Sequence, residues 1–183
     1  MNPMSKLMPV LLITSVIFIS GCTAQQQSQQ YSTVETGQAG VGISVGNRAP
    51  EFTVTTTDGR TIKLSELTDE KKPVMLYFMA TWCPFCSREY EEIAKVYPQY
   101  AGRIELISVD LDLTENALVL EKYRVSKNRP GTFAIGSRQI LIDYDVVATT
   151  TKYAISKDGT ILYKGSGVQP AKNWKIIFDA LSQ

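Results

Sequence analysis

The chain has 183 residues, 44% of them hydrophobic, and 19 basic against 18 acidic side chains for a formal charge of +1. That length holds one domain with a proper core plus an added terminal segment, and the near balance of charge excludes the electrostatic footprint of a nucleic-acid binder. With no histidine and three cysteines, the chain also lacks the four nitrogen or sulfur ligands of a structural zinc site.

Lys6 is the only charge before an apolar run, Leu7 to Ile19, which is too short to span a bilayer as a mature helix and is followed at once by small residues. Residues 1–21 therefore read as a secretory signal peptide. Ile19-Ser20-Gly21-Cys22 resembles a bacterial lipobox, in which the cysteine is acylated and becomes the new N-terminus, so Cys22 is the expected lipidation site. The alternatives are an ordinary signal peptide with a chance cysteine and an uncleaved signal anchor. Residues 22–40 are rich in Gln, Ser, Thr and Gly and read as a flexible tether, with the folded domain over 41–183. Cleavage would remove Lys6 and bring the formal charge from +1 to 0.

Within the domain, Glu51 to Leu67 places β-rich residues on either side of Asp58-Gly59, a two-residue hairpin signal, and ends in a short helical turn. Val74 to Met79 reads as a buried strand, and apolar residues at helical spacing follow from Glu89 to Tyr97. Ile104 to Val109 is a second apolar strand, which makes a βαβ unit and hence a parallel pairing. Leu113 to Tyr123 fits a helix with Thr114 as N-cap. Thr132 to Ile135 reads as a short strand and Arg138 to Tyr144 as a short helix. Thr151 to Ser156 and Ile161 to Lys164 flank a turn at Asp158-Gly159 and must be antiparallel, and a helix closes the chain from about Ala171 to Leu181. The expected fold class is α/β, a mixed central sheet with helices on both faces and an N-terminal β-hairpin extension.

The chemistry lies in Trp82-Cys83-Pro84-Phe85-Cys86, where two thiols spaced C-x-x-C sit at the strand-to-helix turn. Pro84 suits the first helical position, which puts Cys83 at the helix N-terminus, where free amides and the positive dipole end favour a thiolate. Cys83 is therefore expected to be the more acidic and exposed thiol, and Cys86, inside the first turn, the shielded one. A disulfide across two residues would constrain almost no unfolded-chain entropy, which argues for a redox dithiol. An inert structural pair and a metal bridging two subunits are the other readings.

The order of elements, with the dithiol at the end of the first βαβ strand, resembles a thioredoxin fold. More closely, residues 41–183 resemble the TlpA/ResA-like branch of membrane-tethered thioredoxin-like proteins, through Val45-Gly46-Asn47-Arg48-Ala49-Pro50-Glu51-Phe52, Asp58-Gly59-Arg60, Phe78-Met79-Ala80-Thr81-Trp82-Cys83, Tyr144-Asp145-Val146 and Lys157-Asp158-Gly159-Thr160-Ile161. The resemblance implies thiol–disulfide exchange on disulfide-containing extracytoplasmic proteins, among them apocytochrome c, with electrons from a membrane thiol relay and no added cofactor or metal. It implies that Cys83 attacks and Cys86 resolves, and that Trp82, Pro84 and Phe85 touch substrate. It also places the protein on the extracytoplasmic side of the cell membrane, held by its lipid.

Glu89 matches a family carboxylate three residues after the second cysteine, and the i, i+3, i+6 spacing of Cys83, Cys86 and Glu89 independently puts them on one helical stripe. Its carboxylate is expected to exchange protons with Cys86, unless it is a solvated surface glutamate like Glu91 or Glu92. Tyr77 stands where general thioredoxins carry a buried aspartate. The cysteines enclose Pro84-Phe85, whereas close relatives place proline just before the second cysteine. Counting back from Lys157-Asp158-Gly159 puts Thr150 at the position of the fold's cis-proline, so Thr149 and Thr150 are expected to face the dithiol from an exposed loop, with the Thr150 hydroxyl near the sulfurs.

A disulfide reductase is the leading functional reading, with a disulfide-forming oxidase or isomerase and a binding module with a regulatory dithiol as alternatives. A peroxidase site would want threonine three residues before the cysteine, and Thr81 lies two before Cys83. A Sco-type copper carrier would want wider cysteine spacing and a histidine.

Overall fold

The computed structural model describes residues 40–183, so the expected signal peptide, Cys22 and nearly all of the tether lie outside the described residues. In chain order the domain contains β1 (Thr53–Thr56), β2 (Thr61–Lys63), α1 (Leu64–Asp69), β3 (Val74–Met79), α2 (Pro84–Val96), a 3₁₀ turn (Tyr97–Gln99) and β4 (Glu105–Asp110). There follow α3 (Ala117–Ser126), β5 (Thr132–Ile135), α4 (Arg138–Asp143), β6 (Lys152–Ile155), β7 (Ile161–Gly165) and α5 (Ala171–Leu181). The strands form one mixed sheet in the order β2-β1-β5-β4-β3-β6-β7.

β3 is central and buried at all six positions, which is why it reads as an unbroken apolar run. It pairs in parallel with β4 and antiparallel with β6. Side chains alternate across a strand, so Met75, Tyr77 and Met79 enter a core with α2, α3 and α5, while Val74, Leu76 and Phe78 enter one with Leu64 of α1 and Ile140 of α4. α2 turns Cys86, Glu89, Tyr90, Ile93 and Val96 inward. That spacing follows the apolar face of an amphipathic helix. α5 answers it with Trp174, Ile177, Phe178 and Leu181.

The N-terminal hairpin extends the sheet, because β1 pairs antiparallel with β5. Its loop has three residues, not the expected two: Thr56 N donates to Arg60 O at 2.8 Å, leaving Thr57, Asp58 and Gly59 outside the ladder. Gly59 takes φ +84°, the left-handed residue that completes a type I turn with a bulge.

The helix expected from Leu113 starts instead at Ala117. Asn116 Oδ1 accepts from the amides of Leu118 and Val119, both at 3.1 Å, and so caps it. Thr114 gives its hydroxyl to Asp112 Oδ1 at 2.7 Å and is unavailable as the cap.

Candidate active site

The turn after β3 carries the chain from Met79 into α2, with Cys83 as N-cap: its sulfur accepts from the Cys86 amide at 3.1 Å. Pro84 occupies the first helical position, where no amide is needed. Both cysteines are free thiols and both are buried, Cys83 with 2% of its surface exposed and Cys86 with none. The expectation of an exposed Cys83 is thus corrected, because the loop before β6 closes over it. The rim around it is apolar and open, with Trp82 62% and Phe85 54% exposed and Pro84 also at the surface. The Trp82 indole is anchored by donating to Asp112 Oδ2 at 2.8 Å, and Arg88 stacks 4.7 Å from the Phe85 ring.

Of the two threonines, Thr149 is the one that touches sulfur: the Cys83 thiol donates to its Oγ1 at 3.2 Å. Thr150 is buried and turned away. Its Oγ1 accepts from Gly167 N at 2.9 Å, and its amide donates to Phe78 O at 2.8 Å. It holds φ +63°, a left-handed conformation that β-branched residues rarely adopt. Counting by register identified the loop and missed the residue by one, and the expectation of an exposed, adaptable loop at Thr150 does not hold.

Beneath Cys86 lies a polar group that the sequence reading only half found. Glu89 is fully buried and so is not a surface carboxylate. Its Oε1 accepts from Lys152 Nζ and, at 3.1 Å, from Gln169 N, while Lys152 Nζ also donates to Gly167 O at 2.6 Å. Lys152 has no exposed surface either, and lies 5.3 Å from the Trp174 ring and 5.8 Å from that of Tyr77, its partner across the β3–β6 ladder. The signal for Lys152 was one charged residue inside an otherwise apolar strand, Lys-Tyr-Ala-Ile. Burial pushes Glu89 above the usual carboxylate range and Lys152 below the usual ammonium range, and each partner's charge works against that shift.

Burial also pushes the Cys86 thiol up to about 12, reinforced by its hydrogen bond with Cys83 and opposed by the Ala80 backbone and the Tyr77 hydroxyl. Cys86 is therefore a thiol at rest and must lose its proton during any exchange.

A second acidic group supports the turn from the other side. Asp110, at the end of β4, is buried, and desolvation followed by hydrogen bonding with Glu115 lifts it to about 8. Glu115 accepts from the hydroxyl of Thr81 and, at 3.4 Å, from its amide. Asp110 and Glu115 thus place two carboxyl groups under the residue that leads into Trp82 and Cys83, with Asp110 Oδ2 buried and without a hydrogen-bond partner.

Comparison with known proteins agrees with this geometry. The family described as AhpC/TSA matches residues 45–164. The chain is 33% identical over 128 residues to a thiol-disulfide oxidoreductase ResA of Bacillus cereus, covering 69% of this chain and 72% of that protein. It is 30% identical over 148 residues to the thioredoxin-like protein YneN of Bacillus subtilis (strain 168), covering 80% and 82%. Among solved structures, a thiol:disulfide interchange protein of the thioredoxin family from Chlorobium tepidum TLS shares the fold, with a TM-score of 0.64, 19% identity, and 76% of this chain and 99% of that chain covered. With a dithiol capping a helix in this chain and these relatives beside it, the chain belongs to the AhpC/TSA family and, within it, to the ResA-like thiol–disulfide oxidoreductases.

Proposed function

We propose that this protein is tethered to the extracytoplasmic face of the cell membrane by a lipid on Cys22 and reduces disulfides of secreted proteins, including those of cytochrome c maturation. The observation that carries the chemistry is the N-cap position of Cys83, with the Cys86 amide on its sulfur at 3.1 Å inside an apolar rim. Cys83 attacks the substrate disulfide as its thiolate and forms a mixed disulfide, and the first substrate sulfur leaves with an electron pair. Cys86 then attacks Cys83, closes the intramolecular disulfide and releases the second substrate sulfur. A dithiol donor of the membrane restores the pair.

Trp82 and Phe85 are the apolar surface against which an extended substrate segment lies, and Thr149 stands beside the reacting sulfur. Burial lifts the Cys86 thiol to about 12, which suits the protonated, resolving member of the pair. The tether is supported by Lys6, the apolar run and the lipobox-like residues before Cys22.

In the full chain, Cys86→Ser is expected to accumulate mixed disulfides through Cys83. Trapping by Cys83→Ser in its place would reverse the roles. A redox titration giving a potential more oxidising than that of substrate disulfides would favour the oxidase. Cys22→Ala is expected to lose membrane retention on cell fractionation, and retention equal to the parent would refute the lipid anchor.

A further inference from the structure

Most charged groups around the dithiol are spent on partners within the chain. Asp112 accepts from the Trp82 indole on Oδ2 and from the amide and hydroxyl of Thr114 on Oδ1. Glu115 holds the hydroxyl and amide of Thr81, Glu89 is buried with Lys152, and Arg129 donates to Ser87 Oγ at 2.7 Å. Arg88 differs. It is exposed, forms no hydrogen bond and no ion pair among the described residues, and lies over the Phe85 ring with its guanidinium carbon 4.7 Å from the centroid.

The acids on its own helix do not neutralise it. α2 has none in its first turn, and Glu89 faces inward. Glu92, four residues on and well placed for an ion pair, instead holds Lys95 and, at 2.8 Å, the Ala171 amide. Glu91, at i+3, is exposed and forms no ion pair among the described residues. An arginine carries five N–H donors in a rigid plane that matches a carboxylate, and stacking on a ring steadies that plane without using them. The ring in question lies between the two cysteines, on the open rim of the site.

We propose that Arg88, held on Phe85, is a specificity residue of the exchange site that receives the carboxylate of an Asp or Glu side chain about two residues from the reacting cysteine of the substrate. This deepens the reading above in which Cys83 attacks a substrate disulfide, and rests on it. The spacing follows from the helix. Arg88 stands five residues beyond Cys83, a rise of about 7.5 Å along α2, and an extended chain covers that distance in about two residues. The Trp82 side of the rim carries the negative charge of Asp112, which hydrogen bonds from Thr114 and Trp82 keep ionised. An acidic substrate segment thus has one favourable direction across the dithiol, with its carboxylate on the Phe85 side.

The test uses the reduced full chain and three peptides, acetyl-X-Ala-Cys-Ala-X-amide with X glutamate, glutamine or lysine, each cysteine activated as its 2-pyridyl disulfide. Attack by Cys83 on the peptide sulfur releases pyridine-2-thione, whose absorbance gives a second-order rate constant with the same leaving group throughout. At low salt the parent should react with the glutamate peptide about three- to tenfold faster than with the lysine peptide, with the glutamine peptide between, as for a charge pair at an exposed rim. Added salt should narrow the ratio. Arg88→Gln should bring the ratio close to one and Arg88→Glu should invert it. Each chain supplies its own ratio, so a general loss of activity does not alter the comparison. Lys95→Gln, which removes a charge two turns further along the same helix, should keep the parent's ratio.

Equal rates for the three peptides in the parent, a ratio unchanged by Arg88→Gln, or an equal fall in Lys95→Gln would overturn the subsite and leave the exchange reaction in place. A reduced chain that releases thione from none of the three would overturn the exchange reaction and the subsite with it.

Discussion

The two faces of the sheet differ in how many buried polar atoms they leave without a partner: Tyr90, Tyr97 and Tyr100 on the α2 and α5 face are hydrogen-bonded, to Ser108 Oγ, Ile104 O and Asp179 Oδ1, but several of their neighbours are not. On the face covered by α1 and α4, Tyr144 donates its hydroxyl to Pro50 O and Tyr153 donates to Tyr144 O, both at 2.6 Å, and their rings meet edge-to-face at 5.1 Å. On the face covered by α2 and α5, Tyr77, Tyr123 and Trp174 leave a polar atom unpaired, as do Glu89 and Arg129 beside them. One face is a satisfied polar-aromatic core of the kind that fixes a unique fold. The other keeps donors and acceptors unspent around two thiols, which is where strain and unsatisfied polarity are tolerated because chemistry uses them.

The sharpest way to break this contrast is Lys152→Met. It leaves Glu89 buried without its counter-charge, and unfolding by denaturant should show a loss of about 3–5 kcal/mol. Pairing it with Glu89→Leu should recover much of that, since removing both charges from a dry site is far less costly than removing one.

Next comes the pH dependence set by Asp110, which burial and Glu115 lift from its ordinary 3.8 to about 8. In the unfolded chain this proton is lost near pH 4, while the folded protein keeps it to about 8. The folded state therefore binds one more proton in that window. The associated stability is present below pH 4 and is lost as pH rises through 8, at no more than about 1.4 kcal/mol per pH unit. Asp110→Asn, whose amide donates as the protonated acid does, should flatten the slope between pH 4 and 8 relative to the parent; equal slopes would refute a raised Asp110 carboxyl.

Smaller still is the matched pair Tyr144→Phe and Tyr77→Phe. The first strips a satisfied carbonyl of its donor and should cost about 1–3 kcal/mol. The second removes an unpaired hydroxyl and should change stability by no more than about 0.5 kcal/mol. Equal losses in chemical denaturation would erase the distinction between the faces.

What was legible in the sequence was whatever depends on neighbours along the chain. The apolar run of β3, the C-x-x-C turn with Pro84, and the helical stripe from Cys86 through Glu89 to Ile93 are local patterns, and α5 was bounded at Ala171 and Leu181 as observed. What was missed depends on which segments meet. Lys152 is 63 residues from Glu89, and its role is set by the β3–β6 register. The Asp110–Glu115 pair and the Asn116 cap depend on how the chain leaves β4. Thr149 and Thr150 differ by one position in a loop where side chains change direction at each residue. The same lesson revises Thr150→Pro: its amide is bonded to Phe78 O and its φ is +63°. Proline has no amide hydrogen and fixes φ near −65°, so this change acts on stability first.

Glu89 is held by Lys152 from β6 and by Gln169 from the connection into α5, while Gly167 on that connection ties down both Lys152 and Thr150. A chain emerging in order from its N-terminus has made both cysteines, their helix and three strands of the parallel core long before these partners exist. Contacts so far apart in sequence form late. The helix can already hold Cys83 as its N-cap, but the Lys152 and Gln169 contacts that fix the buried carboxylate of Glu89 are conferred by the last thirty or so residues. The order of synthesis thus completes the buried ion pair beside the dithiol only at the end of the chain.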